Sequence, residues 1–595
     1  MTTRSKKPPP WYCAAPTLEW AARPDPTPIL LASGLESAQV EAILQCYGLQ
    51  RIKDADANLQ SMAGDPYQRR QLAGILPSLL EAIGKTADPD LALNQWERWL
   101  ASGVSRSAVL EYLRGAPRMV NLVCTIFGNS NSLASTLVRD PLLLYWLAQQ
   151  KVLSTAPTKI GMERTVRQNL ETVDATELKL DALRRFRRRE MLRIGVRDLL
   201  LLADVVETTA SLSDLASVLI DAAYRIVDAG LRSQYGIPMH RNRQGRWVET
   251  GFTVIGMGKL GGHELNYSSD VDVLYICESH EGETKPVAPR GVKAKDSSQR
   301  GLSNEEYFEI LARELTKALT EQTHEGYLYR VDLRLRAEGS VGQLTRSLDE
   351  YDKYYRTRGQ VWERLALLKA WPIAGSQEVG RSFVKLVRPF VLGAPSERSD
   401  VEQGLAIVED VRSVKERIDV KMAERGQEQR NVKLGGGGIR EIEFFVQTIQ
   451  ALAGRRLPGI LNRGTIGSLA RLHKAGILSA KQQSGLTRAY QFLRDVEHKL
   501  QMVHDMQTHA LPDRQDKLER CAIRMGYTGT SRSAALMQFQ ADHAGHRTVV
   551  HDIFQSFFDT PKTSKLFKAT LRAIRKRNRR DPKAEDRRVL LREFT

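Results

Sequence analysis

The chain has 595 residues, 42% apolar and 27% charged, with a formal net charge of +18. That length exceeds one compact core and predicts about three or four domains. No run of about 18 apolar residues occurs, which excludes a membrane-spanning helix, and five scattered cysteines with no CxxC pair exclude a zinc ribbon or disulfide framework and suit a reducing cytoplasm.

Residues 1–25 are proline-rich and polar. The N-terminus MTTRSKKPPPWYC has basic residues but no apolar stretch behind them, so the segment reads as a disordered lead-in and not as a signal peptide. From 26 to 160 the pattern is helical. Leu76, Leu79, Leu80 and Ile83 recur at helix spacing, as do Val109, Leu110 and Leu113, and Pro117, Pro141 and Pro157 mark helix boundaries. No catalytic constellation stands out here, and a packing or docking module is expected. Leu178 to Val227 reads as long helices carrying five arginines between 184 and 189. Such a run predicts a solvated helix face; nucleotide phosphates or nucleic acid are the alternative. A polar, hairpin-like piece, HRNRQGRW (240–247), follows.

The most informative stretch is GFTVIGMGKLGGHELNYSSDVDVLYI (251–276). Two apolar β-type runs flank a glycine-rich loop that contains Lys259. Asp270 and Asp272 stand at i and i+2 where the second run begins, so their side chains share one face. Two aligned carboxylates can share hard divalent cations, usually magnesium, and a glycine loop can cradle phosphates. The combination points to metal-assisted transfer of a phosphorus-containing group. The plainer alternative is a βαβ turn with a capping aspartate.

Glu278 to Asn304 is polar and broken by Gly and Pro, as in a mobile excursion, and helix resumes over Glu305–His324. In GYLYRVDLRLRAEGSVGQL (326–344), Arg330, Asp332, Arg334 and Arg336 alternate with Val331, Leu333 and Leu335. This predicts a strand over 327–336 with one apolar and one charged face. It is expected to lie beside strands 251–256 and 271–277 and to bring Asp332 to Asp270 and Asp272. A cation among the aspartates and a triphosphate among the arginines would offset these charges; an edge strand salt-bridged within itself is the alternative. Glu441 and Glu443 follow Gly435–Gly438 at a helix start. They do not share a helix face, which turns one toward the site and the other toward solvent, unless they are acids favoured by the helix dipole. Lys562–Thr595 carries +9, half the net excess. A solvated helix end or linker is expected there, with an acidic or nucleic-acid partner as the alternative.

The glycine loop, the Asp-x-Asp strand and the later aspartate together resemble the nucleotidyltransferase superfamily of the DNA polymerase β type. Within it, GMGKLGGHELNYSSDVDVLYI and YRVDLRLRAEGSVGQL resemble the glutamine synthetase adenylyltransferase/adenylyl-removing enzyme family. The resemblance extends through LVRDPLLLYWL (137–147), YYRTRGQVWERLALLKAWPIAG (354–375), VKLGGGGIREIEFFVQTIQ (432–450) and FLRDVEHKLQMVHDMQTHALP (492–512). Ala337 departs from it, standing where the family has proline.

The resemblance implies an α+β, mostly α chain. A central polymerase-β-like nucleotidyltransferase domain with a small mixed sheet (161–375) is expected between helical domains at 26–160 and 376–560, with a basic tail at 561–595. It implies Mg2+ held by Asp270, Asp272 and Asp332. Gly258, Lys259, Gly261, Gly262, Ser268, Ser269, Arg334 and Arg336 would meet the nucleotide, and Glu441 and Glu443 are further candidates. ATP, ADP and orthophosphate are the expected substrates or products. Glutamine synthetase is the expected protein substrate, and a small nitrogen-signalling regulatory protein a second partner. A non-catalytic docking protein and an RNA-directed transferase are the competing readings; the arginine run lacks the interleaved aromatics that stacking on single strands needs. The family joins two such halves in one longer chain. The REIEF and EHKLQ segments resemble the N-terminal, adenylyl-removing half, so a split, truncated or stand-alone half is expected.

Overall fold

The computed structural model describes residues 23–286, 301–393, 400–558 and 564–580. The expected lead-in up to residue 22, most of the polar excursion (287–300) and the tail from 581 onward lie outside the described residues. The chain is α+β and mostly α, with two small sheets. It divides into two compact units.

One unit comprises Met1–Ala156, Arg188–Thr208 and Phe492–Gly545. Its described part is built of helices whose starts are written locally. Asp65 accepts from the Tyr67 and Gln68 N–H groups, Asp88 from Leu91 and Ser130 from Leu133, and Pro66, Pro89 and Pro117 open their helices. These side chains satisfy donors that a helix start leaves unpaired. Trp96, Trp99 and Phe127 meet edge to face, with ring centroids 5.4–6.0 Å apart, in a buried centre.

The other unit comprises Pro157–Arg187, Thr209–Gln491 and His546–Thr595, and contains both sheets. Its strands are β1 (Ile237–Arg241), β2 (Trp247–Glu249), β3 (Phe252–Gly256), β4 (Val271–Cys277), β5 (Glu283–Lys285), β6 (Val331–Asp332), β7 (Thr345–Ser347) and β8 (Trp371–Gly375). The hairpin-like piece is the β1–β2 hairpin, and β5 pairs with β1 on its other side. Part of the polar excursion is therefore a sheet edge. The second sheet runs β6-β4-β3-β8, with β7 beside the far end of β4. β3 is antiparallel to β4 and β8, while β6 and β7 are parallel to β4, so the sheet is mixed. Every residue of β3 is buried. Phe252 lies between the rings of Tyr224 and Phe308, with centroids at 5.5 and 5.7 Å. Below the sheet, Leu274 and Ile276 pack with Tyr351, Phe383 and Val387, and Ala337 is fully buried in the same cluster.

The strand expected over 327–336 exists only at Val331–Asp332. Asp332 ends it: its carboxylate accepts the Arg334 N–H at 2.8 Å, a side-chain turn that competes with the ladder. Arg336 then spends its guanidinium on the carbonyls of Leu333, Ser340 and Gly342 at 2.9–3.0 Å. The charge alternation reflects this turn and not a pleat.

The arginine run is not a solvated face. Arg184 is buried, bonded to Asp181 at 2.8 Å, and Arg187 lies over the Tyr327 and Tyr329 rings. Arg189 lies over Trp146. Arg185 is half-exposed, bonded to Glu325 at 3.1 Å. The start of the basic tail is a helix, Lys565–Arg580, whose Leu566, Phe567 and Ile574 are buried.

Candidate functional site

The site lies where β4 and β6 begin their parallel pairing. Val271 stands opposite Val331 and Asp272 opposite Asp332, and the Val271 N–H donates to the Arg330 carbonyl at 2.9 Å. Asp270 precedes β4 by one residue. Asp270 and Asp332 line an open cleft of about 330 Å³ with Arg330, Arg334 and Arg336, and Asp272 stands beside Asp332 in the ladder.

Each aspartate has a different setting. Arg330 Nε donates to Asp270 at 2.7 Å, and its Nη2 holds the Ser268 carbonyl and hydroxyl at 2.8 and 3.1 Å. Tyr327 takes the remaining nitrogen at 3.0 Å beneath Arg187. Asp332 accepts from the Arg334 side chain, whose hydrogen bonds hold its carboxyl below the usual range. Burial, then the neighbouring Asp332 charge, pushes Asp272 up to about 6, against the pull of Lys433 and Lys259.

The glycine loop is shaped around Asp272. Gly258 has φ +51°, and a Cβ there would stand 2.5 Å from Asp272 Oδ2. At Gly261 a Cβ would stand 2.1 Å from the Lys369 carbonyl, so this glycine serves close backbone packing. Gly262 abuts Glu264, and Lys259 and Ser269 are half-buried. Gly258→Ala is expected to cost about 1–2 kcal/mol of stability from the left-handed backbone alone and to displace the Asp272 carboxylate. A lower melting temperature together with weakened magnesium binding checks this.

Beneath the loop runs a buried ionic network. Lys369 Nζ lies 2.9 Å from Glu264 and 3.4 Å from Glu443, and Glu264 also accepts the Thr465 N–H at 2.5 Å. Arg440 lies 3.5 Å from Glu443. Burial would raise the Glu443 carboxyl, but Lys369, followed by Arg440, Lys433 and Lys259, brings it down to about 2. Glu441 meets Lys415 at 3.1 Å and His551 at 3.4 Å. The expectation that one of these two glutamates faces solvent is therefore corrected. The helix Ile439–Ala453 is buried on nearly every side, so residues on different faces all meet protein, and each acid has its own cation.

The sequence offers Arg330 only as one of the alternating arginines expected to meet a triphosphate, not as the partner of Asp270, and gives no role to Lys369, Glu264 or Lys433. Lys369 and Lys433 sit inside the two motifs around them, but their partners lie far off in sequence.

The three aspartates offer carboxylate oxygens only, the donor set that hard divalent cations take. Asp272 is the acid whose charge burial and Asp332 disfavour, and a cation would relieve it. By donor chemistry alone the set suits magnesium. Among the described residues no three such groups already close around one point, and Arg330 and Arg334 hold two of the three acids.

Residues 120–386 match the family model of glutamate-ammonia ligase adenylyltransferase, and residues 412–558 that of GlnD PII-uridylyltransferase. Curated relatives include three proteins named bifunctional glutamine synthetase adenylyltransferase/adenylyl-removing enzyme. That of Nitrosococcus oceani is 34% identical over 75% of this chain and 43% of its own length. That of Thioalkalivibrio sulfidiphilus is 36% identical over 73% and 42%, and that of Hahella chejuensis 34% over 68% and 39%. The chain thus spans less than half the length of these relatives. No helix among the described residues is long and apolar enough to cross a membrane. Shared sequence over most of its length, with the matched region enclosing Asp270, Asp272 and Asp332, makes this chain a member of the glutamate-ammonia ligase adenylyltransferase family.

Proposed function

We propose that the protein is a magnesium-dependent nucleotidyltransferase of the cytoplasm that acts on glutamine synthetase. It removes AMP from a tyrosine by phosphorolysis, releasing ADP, and thereby regulates nitrogen assimilation. The observation that carries this reading is the register that sets Asp272 opposite Asp332, next to Asp270 and under the Gly258 turn. The region 161–375 is the polymerase-β-like domain in this reading. The helical flanks 35–147 and 376–560 supply the docking surface for a large protein substrate. A small nitrogen-signalling protein is a further partner, supported by the PII-uridylyltransferase match at 412–558.

Asp270, Asp272 and Asp332 would hold magnesium, which supplies charge neutralisation and alignment at the phosphorus. Arg330 fixes Asp270 and Ser268 in place. The exposed Arg334 can leave Asp332 for a phosphate oxygen, since a guanidinium suits both anions. Gly258, Lys259, Gly262, Ser268 and Ser269 border the phosphates, while Gly261 and Arg336 keep the loop and rim in shape. An orthophosphate oxygen forms a bond to the AMP phosphorus as the bond to the tyrosine oxygen breaks. The tyrosine oxygen leaves with the bonding pair and takes a proton, and ADP is the product. In the opposite chemistry the tyrosine hydroxyl attacks ATP and pyrophosphate leaves.

Metal removal tests the reading. ADP release from adenylylated glutamine synthetase should cease in excess EDTA and return with magnesium. Release that persists without divalent cations would contradict it.

A further inference from the structure

The helix Lys565–Arg580 is held to the protein by one face. At its start the Ser564 hydroxyl accepts the Phe567 N–H at 3.3 Å, and Leu566, Phe567, Thr570 and Ile574 are buried. The Phe567 ring meets Phe557 with centroids at 6.2 Å, and Phe557 meets Phe445 of the helix Ile439–Ala453 at 5.3 Å. The basic helix therefore packs on the element that carries Glu441 and Glu443, in the unit that contains the cleft.

The opposite face is a stripe of one sign. Lys565, Lys568, Arg572, Arg575 and Lys576 are exposed. At about 100° per residue they fall within roughly 100° of arc, across the axis from the buried row, and extend about 16 Å along it. The helix contains no Asp or Glu. None of these five side chains has an ion-pair or hydrogen-bond partner among the described residues. This pattern works against the helix itself. Like charges three and four residues apart repel, and Lys565 and Lys568 stand in the first turn, where the helix dipole disfavours cations. A face that only met solvent would gain from interspersed acids, and this one has none.

A row of cations on a fixed helix complements a patch of carboxylates on another protein. The apolar side of the helix is already covered, which leaves nothing to bury in a lipid surface. The stripe also has no aromatic ring on which single-stranded bases could stack. A protein substrate, by contrast, needs contacts beyond the few residues that a cleft can reach. We propose that this stripe is a docking surface for an acidic patch on the protein substrate, holding it by charge outside the cleft. The proposal rests on the reading that the chain acts on glutamine synthetase.

The test combines Arg572→Glu with Arg575→Glu in the full chain, two exposed positions that leave the buried face untouched. Binding of adenylylated glutamine synthetase, followed by surface plasmon resonance without orthophosphate, should weaken about tenfold or more. Wild-type affinity should fall as salt rises, while that of the variant changes little. In turnover, the KM for glutamine synthetase should rise by a similar factor with kcat kept within about twofold. Arg572→Gln combined with Arg575→Gln should lie between, and replaces the reversed variant should that one fail to fold. Unchanged binding by a folded variant, or wild-type binding that is absent or insensitive to salt, would overturn the docking surface. A variant that binds glutamine synthetase normally but loses binding to a mixed-sequence DNA duplex would overturn it too and assign the stripe to nucleic acid. The parent reading fails separately. Stripe-dependent binding with no AMP released would leave the docking surface standing and remove the activity, whereas AMP release with an unmoved KM would do the reverse.

Discussion

Asp272→Asn should lower nucleotidyl transfer by at least about a thousandfold, the scale on which several kcal/mol of metal charge stabilisation registers. The fold should survive, because the substitution keeps the shape and removes a disfavoured charge. The Asp272 carboxyl is raised to about 6 by burial and by Asp332. A group with a raised folded pKa binds its proton more tightly when folded than when unfolded. Its ionised form therefore subtracts stability above about pH 6, and the subtraction fades as pH falls through the ordinary carboxyl range toward about 4. Without magnesium the variant should be more stable than wild type near neutral pH, by on the order of 1–3 kcal/mol, and the gap should close in acid. With magnesium the order should reverse, since only the wild type gains from binding the cation. Paired thermal melts against pH, with and without magnesium, check this. A variant with wild-type turnover would remove Asp272 from the chemistry.

Lys369→Met should be the most destabilising substitution near the site. It leaves Glu264 and Glu443 buried without their shared cation, at an expected cost of about 3–5 kcal/mol. Glu264 also ties the glycine loop to Thr465, so loosening should spread to the loop and reduce activity as well. Adding Glu443→Gln removes one of the two stranded charges. The double variant should recover part of the lost stability, a coupling expected of side chains in one network. Denaturant unfolding of the single and double variants reads this directly. Additive losses would mean that the network is not coupled as its geometry implies.

The local signals in this chain were legible. β3 and β4 announce themselves as apolar runs on either side of a glycine loop, and the one-residue spacing of Asp270 and Asp272 sets both at one strand end. Asp332 stands out in the alternating charged and apolar run, although only Val331–Asp332 of that run is strand. An Asp whose side chain turns the backbone leaves the same alternating pattern as a pleated edge. β8 leaves little trace in the sequence because it is short, contains Pro372 and pairs with β3 across a register shift at Val254/Ile255. The buried network was illegible for a different reason. Lys369 and Glu264 are 105 residues apart and Lys369 and Glu443 are 74 apart, so only the fold reveals that these charges answer one another. The two glutamates of the helix Ile439–Ala453 looked amphipathic by spacing, yet the helix is enclosed. Enclosure depends on neighbouring elements that the helix's own sequence does not encode.

The measurement that bears most directly on the central claim supplies purified glutamine synthetase in both states and follows labelled AMP in each direction. With orthophosphate and magnesium, the protein should release label from the adenylylated form as ADP, Asp272→Asn should release none, and ATP should label the unmodified form poorly. Strong ATP-dependent labelling without phosphorolysis would reverse the direction proposed here. No transfer in either direction by the folded, magnesium-bound protein would contradict the account.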